Sequence, residues 1–242
     1  MKDFALSQNW WQVLLFCLAC YLIGCVNFAR LISRQKHRDI TTIGSGNPGT
    51  MNMTREFGLK IGILTFFCDA FKGGLPSLAG YFIFKGYVFA GTNVIVTDVI
   101  RYLGGLCVIL GHVFPVFMRF KGGKGIASTL GLFWINLACE KWWFIFIGFA
   151  FLVFIAAYIT LTEWGSMGSL IGVTGFALWQ GVVFYLRYSQ TLTSLYVIVA
   201  MLLLLSTTVI TWCAHHKNIM RLLAGEEHRT SVRKMAKRKK SS

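Results

Sequence analysis

The chain has 242 residues, 55% of them hydrophobic and only 14% charged, with 24 Lys and Arg against 9 Asp and Glu. A soluble domain of this length carries far more charge, and only 3 prolines and no long polar stretch argue against separate soluble domains. Apolar runs near the roughly 20 residues needed to cross a bilayer predict an all-α, polytopic transmembrane helix bundle forming one domain over residues 1–242.

Taken in chain order, the runs predict helices over 10–31, 61–84, 98–118, 126–140, 142–161, 168–186 and 192–213. The fourth is short and ends at Glu140-Lys141, so it reads equally as a full, tilted or re-entrant span. Trp10, Trp11, Trp142, Trp143 and Trp212 lie where an interfacial aromatic belt would hold them. Lys2 and Asp3 make a weak n-region, and the first run is long enough to stay as an anchor instead of a cleaved signal.

Charge predicts the orientation. Seven spans put the termini on opposite sides, and most of the 24 Lys and Arg then fall between the first two runs, around Arg119 to Lys124, and after Lys217. The positive-inside bias favours an external N-terminus, a cytoplasmic C-terminus and a basic tail from about 226 to 242. A five-span version keeps the same sides. The cluster Arg233 to Lys240 suits anionic lipid headgroups, and no nucleic-acid partner is expected. Seven cysteines (Cys17, Cys20, Cys25, Cys68, Cys107, Cys139 and Cys213) lie nearly all inside apolar runs. The Cys17/Cys20 pair has no second pair or clustered histidine, so neither a structural disulfide nor a bound metal is expected.

Polar residues in so apolar a chain mark the places to look for function. The first cluster is Gly44-Ser45-Gly46-Asn47-Pro48-Gly49-Thr50-Met51-Asn52-Met53-Thr54-Arg55. Asn47 suits a helix N-cap with Pro48 at the first helical position, and Asn52 and Arg55 would share a face that presents a guanidinium to a phosphate. Asp69 and Lys72, and then Asp98 and Arg101, have the i, i+3 spacing of self-neutralising ion pairs and are assigned structural roles. The run Gly111-His112 through Phe120-Lys121-Gly122-Gly123-Lys124-Gly125 threads cations through glycines, where exposed backbone N–H groups would suit phosphate oxygens. It is not a nucleotide P-loop, because no Lys-Ser or Lys-Thr ends a GxxxxGK run. A small-residue turn, Thr162-Glu163-Trp164-Gly165-Ser166, and the segment His215 to Glu227, with His215, Asn218 and Arg221 on one helical face, complete the set. All four motif segments face the same side under one topology. A transporter for organic phosphates would also use glycine-interrupted helices and a basic vestibule, but the cations gather on one side and no inverted repeat is visible.

These residues identify a resemblance to the bacterial acyl-phosphate:glycerol-3-phosphate acyltransferase family. Its motifs are matched by Ser45-Gly46-Asn47-Pro48-Gly49 with Asn52 and Arg55, by Gly111-His112 through Gly125, and by His215, Asn218, Arg221 and Glu227. Tyr21-Leu22-Ile23-Gly24 and Asp69-x-x-Lys72-Gly73 extend the likeness to almost the whole chain. Thr50-Met51, Asn27, Ala214 and Gly165 depart from common family residues, the last standing where many members carry the first of two serines. The resemblance implies a cytoplasmic-facing enzyme of a bacterial inner membrane. It would transfer a long-chain acyl group from acyl phosphate to sn-glycerol 3-phosphate, without a cofactor and with membrane lipids around it. The oligomeric state is left open.

The resemblance further implies a division of labour. Ser45, Gly46, Asn47, Asn52 and Arg55 would bind the acyl-phosphate end, and spare donors there would act on the developing oxyanion. Lys121, Gly122, Gly123, Lys124 and Gly125, with His112, Ser166 and His215, would hold glycerol 3-phosphate. Asn218 and Glu227 would orient the hydroxyl or order the C-terminal segment. His112 and a substrate phosphate oxygen both stand as candidates for the base. The His-x-x-x-x-Asp pair of other glycerolipid acyltransferases is absent, since Phe117 stands five residues after His112.

Overall fold

The computed structural model describes residues 1–227 and 229–231; the basic cluster Arg233 to Lys240 lies outside the described residues. Ten helices follow in chain order among these residues: α1 (Leu6–Cys25), α2 (Phe28–Gln35), α3 (Thr50–Phe57), α4 (Leu59–Ile83), α5 (Val96–Val113), α6 (Ile126–Glu140), α7 (Phe144–Thr162), α8 (Gly165–Arg187), α9 (Leu195–Cys213) and α10 (His216–Leu223). The fold is helical as expected, with one addition: β1 (Lys2–Phe4) and β2 (Tyr87–Phe89) pair in parallel as a short two-stranded sheet. Three-residue strands have no periodicity for a sequence reading to detect.

The first predicted helix is in fact two. Val26 adopts an extended conformation after α1, and the Asn27 side chain accepts the Arg30 N–H to open α2. Five segments are long and apolar enough to cross a membrane: Leu6–Gln35, Val96–Met118, α7, α8 and α9. Their outward faces carry Leu14, Leu18, Phe146, Phe154, Leu178 and Leu202, all exposed, as lipid-facing surfaces must. Polar side chains turn inward instead. α6 is the short apolar helix at the centre of the bundle, with every residue from Ala127 to Leu137 buried.

Glycines set how closely the helices approach. A Cβ at Gly73 of α4 would overlap the Ser128 backbone of α6, and one at Gly131 of α6 would overlap the Ala70 backbone of α4. Gly24 of α1 and Gly111 of α5 make the same main-chain contact between those helices, against Val108 and Tyr21 respectively. Lipid supplies no hydrophobic drive for helix association, so packing at small residues carries more of it.

The two ends of the bundle differ in character. At the end holding β1 and β2, Phe89 stacks on Tyr196 at 3.7 Å and Phe4 meets Phe84 edge-on. The expected Asp98–Arg101 pair closes there at 2.6 Å but belongs to a larger buried cluster. Glu140 from α6 joins Arg101 at 2.7 Å, Arg187 from α8 reaches both carboxylates, and the Tyr188 hydroxyl donates to Asp98 at 2.8 Å. The Asp69–Lys72 pair also forms as expected, at 3.0 Å, and Lys72 Nζ donates to the Val26 carbonyl where α1 breaks. The opposite end gathers the loops that carry the polar motifs.

Gly131→Val should lower the thermal midpoint of the detergent-solubilised protein by several degrees, since overpacking costs about 1–3 kcal/mol or more. Gly181→Ala, where the nearest atom is Leu204 Cδ2 at 3.9 Å, should stay near the parent in the same fluorescence-detected size-exclusion assay. Equal midpoints for both variants would refute the close-contact account.

Candidate active site

The site grows from three chain reversals at one end of the bundle. The first lies between α2 and α3. Gly44 and Gly46 adopt left-handed backbone conformations, φ +60 and +68, and the chain folds around the Asn52 side chain. Asn52 accepts the Ser45 N–H at 3.0 Å and donates to the Ile40 and Ile43 carbonyls at 3.2 and 3.0 Å. It is only 1% exposed, so Asn52 braces the loop from beneath and does not share a ligand-facing surface with Arg55, as the i, i+3 spacing had predicted. The helix also begins later than expected: Gly49 is the N-cap and Thr50 the first residue of α3. Asn47 therefore precedes the cap, and Ser45, Asn47 and Arg55 all line a common cleft.

The glycine loop is the second reversal. Beyond α5 the chain runs through left-handed Arg119 and Phe120 (φ +50 and +59) and returns over its own helix end. The Gly122 N–H donates to the Val113 carbonyl and the Gly123 N–H to the His112 carbonyl, both at 3.1 Å. These two amides are thus spent on α5 and do not present free donors, contrary to the phosphate-cradle expectation for the backbone. What the glycines provide is close approach: a Cβ on either would collide with the His112 carbonyl or its imidazole. His112 lies under this loop, 5% exposed, with Nδ1 3.4 Å from Ser128 Oγ and 3.9 Å from Asp69 Oδ1. Its side chain is not part of the cleft lining. Lys121, Gly122, Gly123 and Lys124 are, while Gly125 (φ +80) caps α6.

The third reversal joins α10 to the residues after it. The Glu227 carboxylate is the hub: it accepts from Ser166 Oγ, from Asn218 Nδ2 at 2.8 Å and from Arg221 Nε at 2.9 Å. Asn218 also donates to Ser166 Oγ at 2.8 Å and accepts from Lys124 Nζ. One asparagine therefore ties the glycine loop, the start of α8 and the tail together. His215 is buried beside them and donates from Nδ1 to the Thr211 carbonyl at 3.1 Å, which fixes its tautomer.

Burial and charge tune these groups. Burial, with the Lys124 charge beside it, pulls His215 from 6.5 down to about 4, so it is neutral near pH 7. Burial likewise lowers Lys124, with the Glu227 charge opposing it. Burial would raise Glu227, but the hydrogen bonds from Ser166, Asn218 and Arg221, and the Arg221 charge, hold it below the usual carboxylate range.

Together these reversals enclose a cleft of about 1010 Å³. Its polar lining includes Ser45, Asn47, Arg55, Lys121, Lys124, Lys217, Asn218 and Arg221, and its apolar lining Val113, Phe114, Phe120, Ile210, Cys213 and Ala214. Among the described residues no carboxylate lines it. Five cations and several apolar side chains lining one cleft can take a molecule with an anionic head and a long hydrocarbon tail. Phe114, Phe120 and Ile210 escaped the sequence reading because an apolar residue in an apolar run carries no local signal. Lys217 was legible only as another cation of the inner side.

Such an arrangement defines a polytopic membrane protein with a cation-lined cleft at one end of its helix bundle. The chain belongs to the glycerol-3-phosphate acyltransferase family, whose model matches residues 14–225, and it is an acyltransferase. It is 34% identical over 224 residues to the glycerol-3-phosphate acyltransferase of Mycoplasmopsis pulmonis, covering 88% of this chain and 91% of that one. It is 34% identical over 226 residues to glycerol-3-phosphate acyltransferase 2 of Thermotoga maritima, covering 93% and 98%. Among solved structures it resembles PlsY (YgiH), an integral membrane glycerol 3-phosphate acyltransferase. The glycerol 3-phosphate form matches with TM-score 0.70, 26% identity and coverage of 90% of this chain and 95% of that one. The lysophosphatidic acid form matches with TM-score 0.67, 29% identity and the same coverage.

A histidine held at about 4 in the fold and near 6.5 when unfolded leaves full stability above pH 6.5. Below that only the unfolded chain takes up the proton, so stability falls as pH drops from 6.5 toward 4, by at most about 3 kcal/mol. The thermal midpoint should decline over that window. His215→Asn, which keeps a donor toward Thr211, should flatten the decline; an unchanged slope would overturn this account.

Proposed function

We propose that this chain transfers a long-chain acyl group from acyl phosphate to sn-glycerol 3-phosphate, forming 1-acyl-glycerol 3-phosphate and inorganic phosphate. The observation that carries this reading is the cleft, lined by five cations and by apolar side chains, with no carboxylate among its described lining residues. Both substrates are anionic, and one of them and the product carry a hydrocarbon chain. Family membership, and the glycerol 3-phosphate and lysophosphatidic acid forms of PlsY, support the acceptor and the product.

The reaction needs positioning more than a covalent intermediate. An acyl phosphate is already activated. The acceptor hydroxyl oxygen attacks the acyl carbon, a C–O bond forms, and the bond to the phosphate oxygen breaks. Holding two reactants in register supplies roughly 7–11 kcal/mol of the barrier. Ser45, Asn47 and Arg55 of the cleft lining suit the acyl phosphate, with donors to spare for the developing oxyanion. Lys121 and Lys124 of the glycine loop, with Asn218 and Arg221 of α10, suit glycerol 3-phosphate. Ser166 and Glu227 keep Asn218 and Arg221 aimed. Asn52, Gly125, His112 and His215 act from behind, shaping the loops, while Gly122 and Gly123 line the cleft with their amides turned onto α5.

The position of His112 beneath the glycine loop favours a substrate phosphate oxygen as the acceptor of the hydroxyl proton. The leaving phosphate is the natural candidate, since it ends the step carrying that proton. We read the seven helices of 15 to 25 residues as seven crossings of one domain, with the N-terminus outside and the cleft on the cytoplasmic face of the inner membrane. The cations of the cleft end support this orientation.

Purified protein given labelled glycerol 3-phosphate should make lysophosphatidate from palmitoyl phosphate, with one phosphate released per product, and none from palmitoyl-CoA. Product from the CoA ester would overturn the donor; no product from either would favour the transporter. In the same assay Arg55→Lys should raise the donor KM about tenfold or more, because an ammonium cannot make a bidentate phosphate contact. His112→Gln should keep kcat within about tenfold of the parent, whereas a general base is worth roughly 10²–10⁴. A loss of that size with the fold intact would restore His112 as the base.

A further inference from the structure

Arg229 and Thr230 lie against the turn between α7 and α8. Gly225 (φ +72) reverses the chain after α10, and the Glu227 carboxylate then meets Ser166, Asn218 and Arg221. Three residues later the Thr230 N–H donates to the Glu163 carbonyl at 2.7 Å. Glu163 sits in a left-handed conformation (φ +60) at the end of α7, where a terminal carbonyl has no helical partner. Arg229 lays its guanidinium over the Trp164 ring at 5.6 Å.

Gly165 explains why the tail fits there. Its backbone is ordinary helix, since it is not among the positive-φ residues, so no conformational demand calls for glycine. What does call for it is space: a Cβ at Gly165 would stand 3.1 Å from Thr230 Oγ1, 3.4 Å from its Cβ and 3.7 Å from its Cγ2. Thr230, 8% exposed, packs so closely there that even a Cβ at 165 would require it to shift by a few tenths of an ångström, and a larger side chain by more. The seat is one of shape.

We infer that Thr230 seated on Gly165, with Arg229 on Trp164, is a clasp that holds Glu227 against Asn218 and Arg221 of the cleft lining, making these positioning residues for the glycerol 3-phosphate side of the reaction. Glu227 is thereby held on both flanks, by α10 before it and by the clasp after it. Much of the entropy of ordering its segment is lost on folding and is not charged to substrate binding. If the clasp is released, Glu227 keeps its chemical partners but must be ordered anew each time the acceptor binds. The proposed donor contacts at Ser45, Asn47 and Arg55 lie on α3 and the loop before it and are untouched. The inference rests on the acyltransferase reading above.

The test uses the full chain in detergent. Thr230→Gly empties the seat, Gly165→Val fills it from the other side, and Thr230→Val preserves its shape without the hydroxyl. The first two should raise the KM for glycerol 3-phosphate about tenfold while leaving the donor KM within about twofold and the thermal midpoint unchanged. Trypsin should cut after Arg229 faster in both. Thr230→Val should match the parent in every readout. An unchanged acceptor KM, a Thr230→Val variant as impaired as Thr230→Gly, or a parallel rise in both KM values with a fallen midpoint would each overturn the clasp. A parent protein that makes no lysophosphatidate would refute the acyltransferase reading and the inference with it. An active parent matched by all variants overturns the inference alone.

Discussion

At Gly73 and Gly131 the main chains of α4 and α6 touch because neither residue carries a side chain, and Gly24 and Gly111 repeat the arrangement between α1 and α5. Lipid tails are as apolar as leucine, so burying leucines cannot drive helices together in a bilayer. Close main-chain packing can, and it dictates how far each helix end stands from the next. The loops at the cleft end inherit their spacing from those contacts. Gly122 and Gly123 can fold back over His112 because α5 is already fixed against α1, where the Tyr21 hydroxyl holds the Phe114 carbonyl at 2.9 Å.

The placement of polar groups follows from the same solvent. A charge in hydrocarbon is costly unless paired, and each buried charge here is answered by a neighbour. Asp69 and Lys72 neutralise each other inside α4, and Lys72 also caps the broken end of α1. At the far end Asp98, Glu140, Arg101 and Arg187 form a balanced set of two acids and two bases. At the cleft end the balance is deliberately lost. Arg55, Lys121, Lys124 and Lys217 line an open space, and Glu227 engages only Arg221 among the lining cations by direct ion pairing. An excess of cations in a cleft is a demand for anions, which two phosphate-bearing substrates would meet.

The motifs divide into residues that touch the cleft and residues that shape it. Asn52 resembles Asn47 in the sequence, yet one is sealed beneath its loop and the other opens onto the cleft. His112 is the most reactive-looking residue of its motif and serves as the floor on which the glycines rest. Asn218 does both: it lines the cleft and carries the bonds that join Lys124, Ser166 and Glu227.

Read alone, the sequence determined the solvent, the helical class, the approximate extent of the seven long helices and the polar segments that gather at the cleft end, because each leaves a local trace. Apolar runs have a length, ion pairs at i, i+3 have a spacing, and glycines among cations stand out in any apolar chain. It also carried the family, through three ordered motifs. Only the tertiary structure decided which motif residues line the cleft, because that depends on chain reversals rather than on spacing. The break at Val26, the late start of α3, the amides of Gly122 and Gly123 turned onto α5, and the joining of Glu140 and Arg187 to Asp98 all link residues through space. No local pattern records such links, since their energy comes from groups that meet only after the helices have packed.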